Sequence, residues 1–231
     1  MKNIPITFYC LTFFLLVMSG CSDSKKSSTI TIGIVGDIML GRMTNQVMNA
    51  KGARYIWGNL SDLLYTTDLN LGNLETTFTI STSAIPKVFN FKADPKNVRA
   101  LQEAQFDVVN TANNHILDFD IQGLQETVQT LDIANILHTG AGMNIEQAQK
   151  PVIITKNDIR IGIIGFTDNE PTWQAAAAKP GTNYISVDSP QPAIEQIKKL
   201  RPKVDLLILS IHWGQTCDNI LRPNLKASRM R

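Results

Sequence analysis

Short runs of apolar, β-branched residues recur along this chain with helix-length stretches between them, and that alternation admits few folds. The runs are Thr29–Val35, closed by Gly36-Asp37, then Leu69–Leu74, Phe106–Asn110, Pro151–Thr155, Arg160–Phe166 and Val204–Ile211. Between them Ile56–Tyr65 has apolar residues at helical spacing, and Asp94 caps a helix with Pro95 at its first position. Ile121–Leu131 and Gln191–Leu200 are further helices. Lys156-Asn157-Asp158 separates two of the runs as a hairpin turn would. Strands alternating with helices predict an α/β layered domain whose strands are mostly parallel.

Polar residues gather where these runs end. The first leads into Gly36-Asp37-Ile38-Met39-Leu40-Gly41, the second delivers Gly72-Asn73-Leu74-Glu75, the third Ala112-Asn113-Asn114-His115, and the last His212-Trp213-Gly214. In open α/β sheets the carboxyl ends of strands converge on one crevice, where ligands bind. Four such ends would gather Asp37, Glu75, Asn114, His115 and His212. Carboxylate, amide oxygen and imidazole together suit a divalent metal better than nucleophilic catalysis. No serine or cysteine stands in a nucleophile elbow, and the glycines form no phosphate loop.

The amino-terminal end reads differently. Lys2 precedes a charge-free run from Ile4 to Met18, too short to span a bilayer and of signal-peptide length. It closes on Met18-Ser19-Gly20-Cys21, which resembles the lipobox of bacterial lipoproteins, in which the cysteine is acylated and becomes the mature terminus. The polar tract Ser22–Ser28 then reads as a tether. The organisation predicted is a signal peptide over 1–20, a tether over 21–28, a domain over 29–216 and a divergent basic tail over 217–231. The destination is the bacterial envelope, on the exported side of a membrane, held by lipid on Cys21.

Composition narrows the partners. Charged residues make up 18% and apolar ones 43%, ordinary for a folded body. A net charge of +2 gives no nucleic-acid footprint. Of the three cysteines, Cys10 lies in the signal and Cys21 is the acylation candidate, so Cys217 has no intrachain partner.

The strand-end motifs, with Ile116-Leu117-Asp118, Gly123-Leu124, His138-Thr139-Gly140-Ala141-Gly142 and Gly165-Phe166, resemble those of the capsule-synthesis CapA (poly-γ-glutamate capsule) proteins. These are related in fold to the calcineurin-like metallophosphoesterases. The resemblance implies a sandwich of β-sheets flanked by helices, with metal across the sheet edges. It implies that Asp37 ligates one ion, that Glu75 bridges, and that Asn114 and His212 ligate a second, with manganese, zinc or iron as candidates. His115, with Asp37, would belong to the catalytic set, His115 facing a leaving group or developing anion. The partners implied are a membrane and the capsule or exopolymer synthesis machinery. Two functions stay open: metal-dependent hydrolysis or transfer, and non-catalytic anchoring or handling of the polymer.

Two departures bear on that choice. The phosphoesterases carry Asp-x-His at the first motif, whereas Met39 holds the third place here. The family also continues past His-Trp-Gly to a terminal histidine pair. Here the chain runs through Asp218 into Arg222, Lys226, Arg229 and Arg231 with no further acid, as a truncated or frame-shifted product or a short domain with a basic tail would. Fewer ligands predict weak metal binding.

Overall fold

The computed structural model describes residues 29–214. The signal, the tether with Cys21, and the tail with Cys217 lie outside the described residues. The strands are β1 (Ile32–Ile38), β2 (Leu69–Leu74), β3 (Thr77–Phe78), β4 (Lys92–Ala93), β5 (Val108–Asn110), β6 (Leu137–Thr139), β7 (Ala141–Gly142), β8 (Val152–Lys156), β9 (Ile159–Thr167), β10 (Gly181–Thr182) and β11 (Leu206–His212). The α-helices are α1 (Met43–Lys51), α2 (Leu60–Leu64), α3 (Arg99–Glu103), α4 (Asp120–Ile133), α5 (Ile145–Ala148) and α6 (Gln191–Leu200). Among the described residues, no helix is long and apolar enough to cross a membrane.

Two sheets carry the domain. One is four-stranded and wholly parallel, in the order β1-β2-β5-β6. The other is three-stranded, β11-β9-β8, with β9 parallel to β11 and antiparallel to β8. They pack face to face: Leu69, Leu71 and Val108 of the first meet Val152, Ile161 and Ile163 of the second. Outside the four-stranded sheet, Ile38, Leu74 and Val109 pack against Met48, Leu64, Leu101 and Leu131. Outside the three-stranded sheet, Ile164 and Phe166 pack against Ala193 and Leu200 of α6. The result is four layers, helices on sheet on sheet on helix. Each fully buried Leu, Ile or Phe stabilises this by about 1.5–3 kcal/mol.

β9 shows why a covered strand loses its alternation in sequence. Ile161 and Ile163 face the other sheet while Ile164 and Phe166 face α6, so both sides are apolar. Gly165 sits where the two sheets approach closely. A Cβ there would stand 2.1 Å from Oδ1 of Asn110, on β5.

Among the described residues, β1 and β11 are edge strands on the same side of the sandwich. A cleft of about 260 Å³ runs between them, lined by Ile34 and Val35 on one lip and by Ile208, Leu209 and Ile211 on the other. It opens at Asp37, Asn73 and His212.

Several boundaries differ from the sequence expectation, each for a local reason. The first strand does not stop at Gly36-Asp37: it runs through both to Ile38, and its register against β2 shifts between Ile34 and Asp37. The helix expected over Ile56–Tyr65 is broken, with a 3-10 turn over Ala53–Trp57 and α2 after it, because Gly58 at φ 49° and Asn59 intervene. Asp94 does not cap through its side chain. Pro95–Val98 is a 3-10 turn, and the Asp94 carboxylate instead accepts from Asn49 at 2.8 Å and from Asn45 at 3.4 Å. The hairpin turn comprises only Asn157 and Asp158, both at positive φ, as a tight two-residue turn requires.

Candidate metal centre

Asp37 is delivered by the shift in β1, where it pairs with Asn73 across the ladder. Such an irregularity re-aims a side chain that regular pleating would place elsewhere. The Oδ1 atom of Asp37 accepts from Nδ2 of Asn73 at 2.7 Å, and that same nitrogen lies 3.0 Å from Nδ1 of His212. An amide nitrogen carries two hydrogens and can donate to both. That assignment makes Nδ1 of His212 an acceptor and puts its proton on Nε2, which lies 3.0 Å from Oδ1 of Asn114.

Glu75 immediately follows β2. Its Oε1 lies 3.9 Å from Nε2 of His212 and 3.6 Å from Nε2 of His115. One ligand atom each from Asp37, Glu75 and His212 lies within 4.8 Å of the others. The five residues singled out at strand ends are thus brought to one crevice, four of them from the four-stranded side by way of β1, β2 and the loop after β5. His212 alone comes from the three-stranded sheet.

His115 is buried and braced from all sides. Its Nδ1 lies 2.6 Å from Oδ2 of Asp118, and its ring stacks on Phe91 with centroids 4.0 Å apart. Asp118 is fully buried and also accepts from the Phe91 amide at 2.7 Å and from Nζ of Lys87 at 2.9 Å. Lys87 donates as well to the carbonyl of Asn114 and lies 5.3 Å from the ring centre of Trp173. Asn113 holds the loop to β2, donating to Oδ1 of Asn73 at 3.1 Å and to the carbonyl of Leu74 at 2.8 Å.

The charges are unbalanced around Glu75. Burial, then the neighbouring Asp37 carboxylate, pushes its carboxyl up to about 7, although Lys87 works in the other direction. Burial holds the His212 imidazole below its usual range despite the nearby Asp37, so it is neutral at pH 7. Two carboxylates and a neutral imidazole, crowded and short of positive charge, form a donor set that a hard or borderline divalent cation fits.

Asn73, Asn113, Asp118, Lys87 and Phe91 were not singled out as site residues from the sequence. Asp118 and Asn73 carried a signal, the first standing three residues after His115 and the second two before Glu75. Lys87 and Phe91 lie in an irregular segment with no periodicity to mark them. Cys21 lies outside the described residues.

A family model described as "Bacterial capsule synthesis protein PGA_cap" matches residues 31–227. The chain is 30% identical over 224 residues to the PGA biosynthesis protein CapA of Bacillus subtilis, covering 94% of this chain and 58% of that protein. It is 30% identical over 211 residues to the capsule biosynthesis protein CapA of Bacillus anthracis, covering 88% and 51%. A probable polyglutamine synthesis accessory protein of Mycobacterium tuberculosis is 30% identical over 228 residues, covering 80% and 60%. The chain therefore spans between about half and three fifths of the length of these relatives. Among solved structures, the NAD nucleotidase of Haemophilus influenzae aligns at a TM-score of 0.45 and 18% identity, over 76% of this chain and 30% of that one.

Proposed function

The chain belongs to the bacterial capsule synthesis protein family, and from that premise we propose that it serves the assembly of a poly-γ-glutamate-type capsule or exopolymer from the cell envelope. It is held to a membrane by an acylated Cys21, and it works beside the synthesis machinery as an accessory protein. The relatives' names support that setting, and the charge-free run ending at Gly20-Cys21 supports the anchor.

The observation that carries a chemical role is the convergence of Asp37, Glu75 and His212 within 4.8 Å. With Asn114 they would hold a divalent ion, which when bound would polarise the scissile group and acidify a water. The chain's own residues do the rest. Asn73 fixes Asp37 and His212 relative to one another. Asp118 turns the His115 ring so that Nε2 faces Glu75 and the crevice, where it can give or take a proton. Lys87 holds Asp118 in place and pins the backbone carrying Asn114.

Met39 in the third place of the first motif favours the second reading, a polymer-handling protein that keeps the fold and binds metal weakly. Isothermal titration of the full chain with manganese and with zinc separates the two. Sub-micromolar binding lost in Asp37→Ala, with metal-dependent cleavage of the polymer lost in His115→Ala, supports the enzyme. Binding no tighter than micromolar and no cleavage supports the polymer-handling role.

A further inference from the structure

The carboxyl ends of the strands hold Asp37, Glu75, Asp118 and Asp168, with Lys87 and Arg42. The starting ends carry both signs, but one stretch there is basic. α6 descends to that end and closes on Lys198 and Lys199, and Arg201 and Lys203 follow before β11 begins. All four are exposed. Lys198 pairs with Glu195 at 3.1 Å, but Lys199, Arg201 and Lys203 form no ion pair among the described residues. Of the carboxylates at this end, Asp107 is paired with Lys156, Asp205 with Arg160 and Asp62 with Arg54, whereas Asp68, Glu103, Asp132 and Asp158 pair with no lysine or arginine among the described residues, so the basic character is local to the end of α6.

The same end receives the chain from the tether. The carbonyl of Thr29 accepts from Asn157 of the turn at 3.2 Å, and the amide of Thr31 donates to Asp68 at 2.7 Å. Beside that entry point α2 abuts Gly33, with Leu63 63% exposed, and Tyr65 follows it at the surface. At the foot of α4, Ile133 is 83% exposed. Cationic side chains, exposed apolar groups and an aromatic ring at one level are what a bilayer interface takes.

We propose that the strand-start end of the sandwich, with Lys199, Arg201 and Lys203, is a docking surface for a bilayer rich in anionic phospholipid. It rests on the reading of Cys21 as the lipid anchor. Seven residues separate Cys21 from Thr29, a reach of at most roughly 28 Å over eight Cα-to-Cα steps, so the anchor holds this end close to the headgroups. A second, electrostatic contact makes such anchoring firm where the tether alone leaves orientation free. The Asp37–His212 crevice then faces away from the membrane, roughly 17 Å along β1 from its start.

The test uses the full acylated chain in floated vesicles of phosphatidylethanolamine and phosphatidylglycerol with brominated acyl chains. In a Cys217→Ser background, one fluorophore is placed at Leu63→Cys and another at Met43→Cys, an exposed position at the site end. Quenching at 63 and not at 43 is the result expected. Lys199→Glu with Lys203→Glu should abolish most of that difference, as should neutral phosphatidylcholine vesicles. Equal quenching at both positions in protein that floats, or a difference indifferent to both changes, overturns the docking surface and leaves the anchor standing. Protein that fails to float overturns the anchor, and the docking surface with it.

Discussion

Nδ1 of His115 stands 2.6 Å from Oδ2 of Asp118, three residues further on, and both side chains are buried. The same carboxylate answers the buried ammonium of Lys87. Asp118→Asn would keep the shape and remove the charge that faces both groups. Breaking a buried pair from one side costs about 3–5 kcal/mol. A fall of about 3 kcal/mol in unfolding free energy, read from urea titration, is the outcome expected. An unchanged midpoint would mean that Lys87 does not need this partner.

Glu75 ionises at about 7 in the folded protein against 4.5 ordinarily, so between those values the folded state holds more proton than the unfolded one. Stability from this group therefore falls as pH rises from 4.5 to 7 and is level above. The full shift corresponds to about 3 kcal/mol, and partial solvent access brings it nearer 1–2. Glu75→Gln should be more stable than the parent at pH 8 and lose that advantage at pH 4. His212, held low by burial, works in the opposite sense below its ordinary value, so the difference between variant and parent is the quantity to follow. A difference that does not move with pH would show that Glu75 is not strained.

Gly165 and Gly36 should part company on substitution. A methyl at 165 would press on Oδ1 of Asn110, which cannot swing aside without releasing the Ala112 amide it accepts at 2.9 Å. Gly165→Ala should cost about 2–3 kcal/mol, the range for overpacking. Nothing lies within 4 Å of the Cβ that Gly36 would gain, so Gly36→Ala should stay within about 0.5 kcal/mol. Thermal melts of the two variants check both values.

Cys21→Ser should release the protein from membranes or leave its signal uncut. Fractionation and intact mass unchanged by that substitution would remove the anchor from the account.

The layers were legible because burial imposes a period. Leu69–Leu74 and Gln191–Leu200 fall where the sequence places them, and β9 and β11 within about two residues at each end. α1 was not anticipated: Met43–Lys51 has Arg42 at φ 54° before it instead of a capping side chain, and Met48 alone is buried. β6 has three residues, too few to show a pattern, and exists because β5 offers it a ladder. In the crevice, what the sequence revealed was the set of groups at strand ends. The shift that turns Asp37 inward, and Lys87 beneath His115, arise from contacts 27 or more positions apart and leave no local trace.

His212 is the one member of the crevice that the three-stranded sheet supplies. Asn73, reaching it from the other sheet, fastens the two like a stitch through both layers. Anything that binds Asp37, Glu75 and His212 together must draw on the docking of sheet to sheet, and by thermodynamic linkage must strengthen it. Occupancy and the integrity of the sandwich are then a single equilibrium: whatever pries β11 from β2 across the two sheets empties the crevice, and whatever fills the crevice resists the prying.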